Sequence, residues 1–195
     1  MQLIKSKTYQ NLAKSFAGEC QAHVKYLFIE YGARKQGYKA LAEIINKVSY
    51  HEFNHARMLY TFIQQASDET IDNIDICSGY PFKEKWDLIE NLKLASQDEN
   101  FEATKIYPEY SKVAKDEGFE EIGQLFDNLI QVETCHSKLF EDLYNQLNGK
   151  TMYKKDEKIK WKCSACGYES ESEQAWKMCP LCKEPQGTTM LHLEE

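Results

Sequence analysis

The sequence predicts an all-α four-helix bundle with a buried metal site, followed by a small metal-stabilised β/loop domain. Three observations carry that reading. Two Glu-x-x-His tetrads, Glu52–His55 and Glu133–His136, interrupt the apolar stripes of long helical patterns. Two further helical patterns place carboxylates on the same kind of stripe, Glu19 in one and Glu99 with Glu102 in the other. Near the C-terminus, Cys163-x-x-Cys166 and Cys179-x-x-Cys182 form a pair of hooks in the segment KWKCSACGYESESEQAWKMCPLCKEPQ.

The first helix is expected over 4–36. Leu12, Phe16, Glu19, His23, Tyr26, Glu30 and Ala33 recur at the 3.6-residue period, which sets Glu19 and Tyr26 two turns apart on one face. Gly37 stops it as a C′ glycine. The second helix, 38–65, carries Leu41, Ile44, Val48, Leu59 and Phe62, with Glu52 and His55 in their stripe. Residues 66–81 read as the long crossover between two helical hairpins. The third helix, 82–117, shows a stripe of Ile89, Leu92, Ser96, Glu99, Glu102, Ile106, Tyr110 and Val113. Pro108 is expected to kink it, since proline lacks an N–H and its ring crowds the preceding turn. Gly118 ends this helix as Gly37 ends the first. The fourth helix, 119–147, runs Ile122, Leu125, Leu129, Val132, Phe140, Leu143 and Leu147 around Glu133 and His136, and Asn148-Gly149 closes the bundle. The domains are therefore expected at 1–149 and 150–195, with the Lys-rich stretch 150–162 leading into the second. A weak internal repeat relates the hairpins: Glu19 to Glu52 spans 33 residues and Glu99 to Glu133 spans 34.

Residues three apart project from one side of a helix, so each tetrad aims a carboxylate and an imidazole into the same interior. An ionised carboxylate is too costly to bury without a partner, and a cation is required. One Glu-x-x-His on a helix is usually a solvated surface pair; four segments agreeing in position are not. A Glu from each of two helices and a Glu-x-x-His from each of the other two is the ligand set of carboxylate-bridged di-iron or di-manganese sites in ferritin-like bundles. Here one carboxylate is to spare. Oxygen and imidazole ligands without thiolate suit iron or manganese. The four cysteines read as a tetrahedral thiolate site for zinc or a single iron, and spacing alone slightly favours zinc. Disulfides are the weaker reading, because Cys20, Cys77 and Cys135 make the total odd and scattered. A terminal segment this short needs its metal to hold a core.

The composition fits that division. A chain of 195 residues allows one full domain and a small one. With 42% hydrophobic and 28% charged residues it can fill a bundle core. It has no long apolar run, and MQLIKSKTYQ lacks an apolar signal core; no membrane partner is expected, and the location is expected to be cytoplasmic. A net charge of −7 argues against a nucleic-acid surface. Lysines and acidic groups balance across 150–195, so the excess negative charge lies in the bundle. Without a dinucleotide-binding fingerprint, NADH is not expected to bind this chain directly.

The motifs FAGECQAHVKY, YHEFNHA, ENFEATKIYPEY, VETCH and WKCSACGY…CPLC, in that order and over essentially the whole length, resemble the rubrerythrin family. The resemblance implies a ferritin-like bundle followed by a rubredoxin-like domain. It implies two irons in the bundle, and iron instead of zinc on Cys163, Cys166, Cys179 and Cys182. Glu52 and Glu133 would bridge the pair, Glu19 and Glu102 would complete one iron, and Glu99 and His136 the other. His55 would exchange with Glu102 as that iron changes oxidation state. Tyr26 and Tyr107 are the candidates for giving protons or hydrogen bonds at the site. The implied reaction is reduction of hydrogen peroxide to water, with electrons passed through the four-cysteine iron from rubredoxin or an NADH-dependent reductase. A head-to-tail homodimer would lay one chain's four-cysteine domain over the other's bundle. There are departures: Lys183 stands after Cys182 where rubredoxins usually carry glycine, the tail PQGTTMLHLEE lacks an aromatic often found there, and His23 reads as a surface or supporting residue. A ferritin-like iron oxidase or storage protein is the alternative, although it gives an electron-transfer module no purpose. A zinc-stabilised interaction module is a third reading, opposed by the buried carboxylates.

Overall fold

A computed structural model describes residues 2–68, 73–77 and 86–193. Helix α1 (Lys7–Lys35) starts where the Ser6 hydroxyl accepts the Tyr9 amide at 3.0 Å, a side-chain N-cap. A second cap arrives from the other hairpin: the Glu117 carboxylate accepts the Lys7 and Thr8 amides at 3.1 and 2.8 Å. It places negative charge on the positive end of the helix dipole. Helix α1 ends in a Schellman turn. Gly37 sits at φ 87, its amide bonds to Arg34 O, and the Tyr38 amide reaches Ala33 O. Helix α2 (Lys39–Gln64) follows at once. Gly118, at φ 85, repeats the turn with Lys115 and Ala114 before α5 (Glu120–Asn148). The bundle closes differently from those two turns. Gly149 keeps φ −77, and Lys150 takes the left-handed position at φ 57.

The third helix departs from the sequence reading. Instead of one kinked helix over 82–117 there are α3 (Leu88–Phe101), a π-helical turn (Glu102–Ile106) and α4 (Tyr107–Asp116). Residues 69–72 and 78–85, which include half of the expected crossover 66–81, lie outside the described residues. In the π turn the Tyr107 amide reaches back five residues to Glu102 O. Pro108 comes next, and the widened turn relieves the clash its ring would make with the carbonyl four residues earlier. The extra residue also moves the stripe. Leu88, Leu92, Ala95, Glu99, Ala103, Tyr107 and Ala114 are buried, whereas Ile89 is 40% exposed. A constant 3.6-residue period cannot follow a face through a π turn.

Two apolar clusters fill the bundle. Tyr26, Ile29, Leu41, Ile45, Leu92 and Phe140 belong to one, Leu12, Leu59, Tyr107, Phe126 and Leu129 to the other. On every long helix the buried Glu and His residues fall between the residues of the first cluster and those of the second. A polar layer therefore divides the core at mid-height.

Beyond the bundle, β1 (Lys154–Lys162) and β2 (Glu169–Gln174) form an antiparallel pair with Ile159 opposite Ser172 and Lys162 opposite Glu169. Trp161 is fully buried under them and donates its indole N–H to Ser172 O at 3.0 Å. This small domain packs on the end of the bundle that holds the α1–α2 turn. Lys39 pairs with Glu184 at 2.6 Å, Gln146 donates to His192 O at 2.7 Å, and the Tyr38 and Tyr153 rings stack. Gly187 lies so close to Gly37 that a Cβ there would come within 1.7 Å of its carbonyl oxygen.

Candidate metal centres

Glu19, Glu52, His55, Glu99, Glu133 and His136 converge in the polar layer, and none is more than 5% exposed. They form two interlocked groups, Glu19, Glu52, His55 and Glu133, and Glu52, Glu99, Glu133 and His136. Within each group the ligating atoms lie within 4.8 Å of one another. Glu52 and Glu133 belong to both groups. Their oxygens lie 2.9 and 3.2 Å from His55 Nδ1, and 3.0 and 2.9 Å from His136 Nδ1. Each outer carboxylate stands farther from its imidazole: Glu19 is 3.6 Å from His55 and Glu99 is 3.6 Å from His136. The near-twofold arrangement follows from the internal repeat.

Behind these groups the tyrosines cross over. Tyr26 on α1 donates to Glu99, and Tyr107 at the start of α4 donates to Glu19. Burial, reinforced by those carboxylates, drives both phenol pKa values far up, so the tyrosines keep their protons. Glu102 is only half-buried and belongs to neither group. It lines a cavity of about 750 Å³ with Gly18, Lys14, Lys25, Phe101 and Tyr107. His23 bonds to Ser49 and lies outside both groups. One contributor escaped the sequence reading: His51 Nδ1 lies 3.0 Å from His136 Nε2. Its spacing of four from His55 on one helix face was the available signal.

Without a metal, protons must balance this layer. Burial pushes Glu19 up to about 8 against the pull of His55, and it raises Glu99 and Glu102 well above the ordinary range. Burial also opposes ionisation of Glu52 and Glu133, but hydrogen bonds from His136 and His55 prevail and hold both down, Glu52 to about 2. Those carboxylates in turn raise both imidazoles, His136 to about 12, against the opposing effect of burial. Burial, with the nearby His136, lowers the pKa of His51. Buried polar atoms without a well-aligned hydrogen bond concentrate here: Glu19 Oε2, Glu52 Oε1, Glu99 Oε2, both Glu133 oxygens and His136 Nδ1. Dense, convergent and unsatisfied oxygen and nitrogen donors fit a pair of divalent metals.

The second centre is built from two equivalent turns. The Gly167 amide bonds to Cys163 O at 2.9 Å and the Lys183 amide to Cys179 O at 3.0 Å. Gly167 takes φ 76, and Lys183 takes φ 62 where a glycine would be unstrained. Cys163, Cys166, Cys179 and Cys182 bring their sulfurs within 4.8 Å, with Cys163–Cys182 and Cys166–Cys179 each 3.7 Å apart. Against burial, the Cys166 and Ala165 amides lower the Cys163 thiol to about 7, preparing a thiolate. Cys20, Cys77 and Cys135 are exposed and join neither centre.

Comparison with known proteins follows this division. The family profile described as Rubrerythrin matches residues 10–144, and that of the rubrerythrin rubredoxin-like domain matches 161–188. A rubrerythrin of Clostridium perfringens is 36% identical over 181 residues, covering 93% of this chain and 92% of the relative. The structure of nigerythrin in a partially reduced state superposes with TM-score 0.62 at 25% identity, over 96% of this chain and 90% of the other. A Desulfovibrio desulfuricans bacterioferritin shares the bundle fold at TM-score 0.61 and 20% identity, over 73% of this chain and 81% of its own.

Proposed function

The chain belongs to the rubrerythrin family, and from that premise we propose that it reduces hydrogen peroxide to water at the bundle site. In this reading the electrons come from an NADH-linked donor, a separate reductase or rubredoxin, by way of the four-cysteine centre. The cofactors are iron, two in the bundle and one on the four cysteines. The observation that carries the proposal is the presence of both centres in one chain. A storage protein needs the first and has no use for the second. Iron held at the bundle site would supply two-electron reduction of the O–O bond, and iron held by the four cysteines would supply one-electron redox chemistry.

The side chains have distinct tasks. Glu52 and Glu133 would hold both metals, a role supported by each offering an oxygen toward both imidazoles. Glu19 and Glu99 would each hold one metal, oriented by the hydrogen bond from Tyr107 and Tyr26 respectively. His55 stands in the Glu19 group while Glu102 stands outside it, an arrangement that supports exchange between those two ligands. The cavity beside Glu102 is the route for peroxide. Reduction of H₂O₂ to two waters consumes two protons, and the hydrogen bonds of Tyr26 to Glu99 and Tyr107 to Glu19 support a role for these phenols in orienting them.

The small domain sits at the Gly37 end of the bundle, 18 residues along α1 from Glu19, or about 27 Å at 1.5 Å per residue. That span is long for rapid transfer within one chain. A head-to-tail homodimer brings the partner subunit's four-cysteine domain over the bundle. Among the described residues no helix is long and apolar enough to cross a membrane; a cytoplasmic location is part of the same proposal. The test is NADH-driven peroxide consumption by the full-length, iron-loaded protein. Glu133→Ala should abolish it while leaving thiolate-to-iron absorption in place. Full turnover by that variant would mean the site is misassigned.

A further inference from the structure

The internal repeat that relates Glu52 to Glu133 also relates the residues just before them, His51 and Val132. Both are half-buried, but only His51 carries a ring nitrogen. Its Nδ1 lies 3.0 Å from His136 Nε2, and the two rings are nearly parallel, at 11°, with centroids 5.3 Å apart. His136 turns its other nitrogen, Nδ1, toward Glu52, Glu133 and Glu99. With Nδ1 facing the metal position, the ring proton resides on Nε2, and His51 Nδ1 accepts it. His55 also points Nδ1 inward, at Glu19, Glu52 and Glu133. Among the described residues, however, no hydrogen bond reaches its Nε2. The two imidazoles are matched in what they face and unmatched in what holds them from behind.

We infer that His51 is a positioning residue that locks His136 onto its metal, and that Val132, lacking an acceptor, leaves His55 free to exchange. The asymmetry confines ligand exchange to the Glu19 side of the pair. A hydrogen bond to the outer nitrogen of a ligating histidine fixes its tautomer and ring orientation and strengthens it as a donor. This inference rests on the ligand roles given above. It explains why a site with twofold-related donors has one exchanging side: the spare carboxylate, Glu102, and the unanchored imidazole, His55, act on the same group.

The test uses the full-length protein loaded with zinc, whose diamagnetism leaves imidazole N–H signals readable by NMR. The wild type should show one bundle imidazole Nε2–H protected from solvent exchange, assigned to His136. His51→Val should remove that protection and weaken one of the two bundle metals about 10- to 100-fold in chelator competition. His51→Asn, whose side-chain oxygen can accept the same proton, should recover most of the affinity. Val132→His supplies the missing anchor. It should protect a second imidazole N–H, keep two bundle metals and slow peroxide turnover. Wild-type affinity and N–H exchange in His51→Val would overturn the inference. So would a Val132→His protein that shows the second protected proton yet turns over at the wild-type rate. If His51→Val folds poorly, the asparagine and Val132→His proteins carry the test. The NMR and affinity readouts are independent of turnover. A wild type with the protected proton but no peroxide reduction would count against the peroxidase and for the anchor.

Discussion

Among single side chains, distance to an imidazole decides which carboxylates ionise. Glu52 and Glu133 each face two imidazoles at 2.9 to 3.2 Å and remain charged. Glu19 meets one at 3.6 Å, and burial prevails. The consequences for the metal-free protein have definite signs. Glu19 is raised from 4.5 to about 8, so its contribution to stability is complete below 4.5 and is lost as pH climbs through 8. His136, raised from 6.5 to about 12, contributes fully below 6.5 and less as pH rises toward 12. Glu52, lowered from 4.5 to about 2, contributes above 4.5 and fails as pH falls through 2. Demetallated protein should therefore melt highest near about pH 5 and lose stability toward pH 8. The iron-loaded protein should gain over the same range, because iron competes with protons for these ligands. Thermal melts of both forms check this; demetallated protein that is more stable at pH 8 than at pH 5 would contradict it. The six residues that converge in the polar layer were legible in the sequence, since each is a polar group where the period demands an apolar one. His51 was not singled out, because its role depends on a partner 85 residues away.

The secondary elements show where periodicity succeeds and where it stops. Helices α1, α2 and α5 lie close to the expected spans, and Gly37 and Gly118 take the left-handed conformation expected of them. The third helix was misread because its period changes inside it. Pro108 marked the disturbance, but composition does not distinguish a kink from a π turn. The repeat held the missing clue. The second hairpin is one residue longer between equivalent glutamates, 34 against 33, and Glu99 to Tyr107 spans eight residues where Glu19 to Tyr26 spans seven. The added residue is absorbed in the Glu102–Ile106 turn, which carries the carboxylate outside both groups. Deleting Glu102 while replacing Pro108 with Ala should restore an uninterrupted helix with Glu99 and Tyr107 still inward. Such a protein should keep two bundle irons by metal analysis and lose most of its peroxide turnover. Wild-type turnover would show that ligand exchange at Glu102 is dispensable.

For the whole molecule, the docking of the small domain on its own bundle was not visible in the sequence, because it depends on two glycines 150 residues apart. Gly187 approaches the Gly37 carbonyl too closely for any side chain. Gly187→Ala should push the domain off the bundle end and open the 150–153 junction to proteases, with the four-cysteine iron retained. Unchanged proteolysis would count against that contact. The electron route is the central claim, and a single turnover tests it most directly. Full-length protein and a chain ending at Gly149, both iron-loaded and reduced without oxygen, are each mixed with one equivalent of hydrogen peroxide and then with the NADH-linked donor, while the bundle iron is followed by absorption. Both should be oxidised at similar rates, and only the full-length protein should be re-reduced quickly. Equal re-reduction of the truncated chain, or failure of peroxide to oxidise either bundle, would contradict the account.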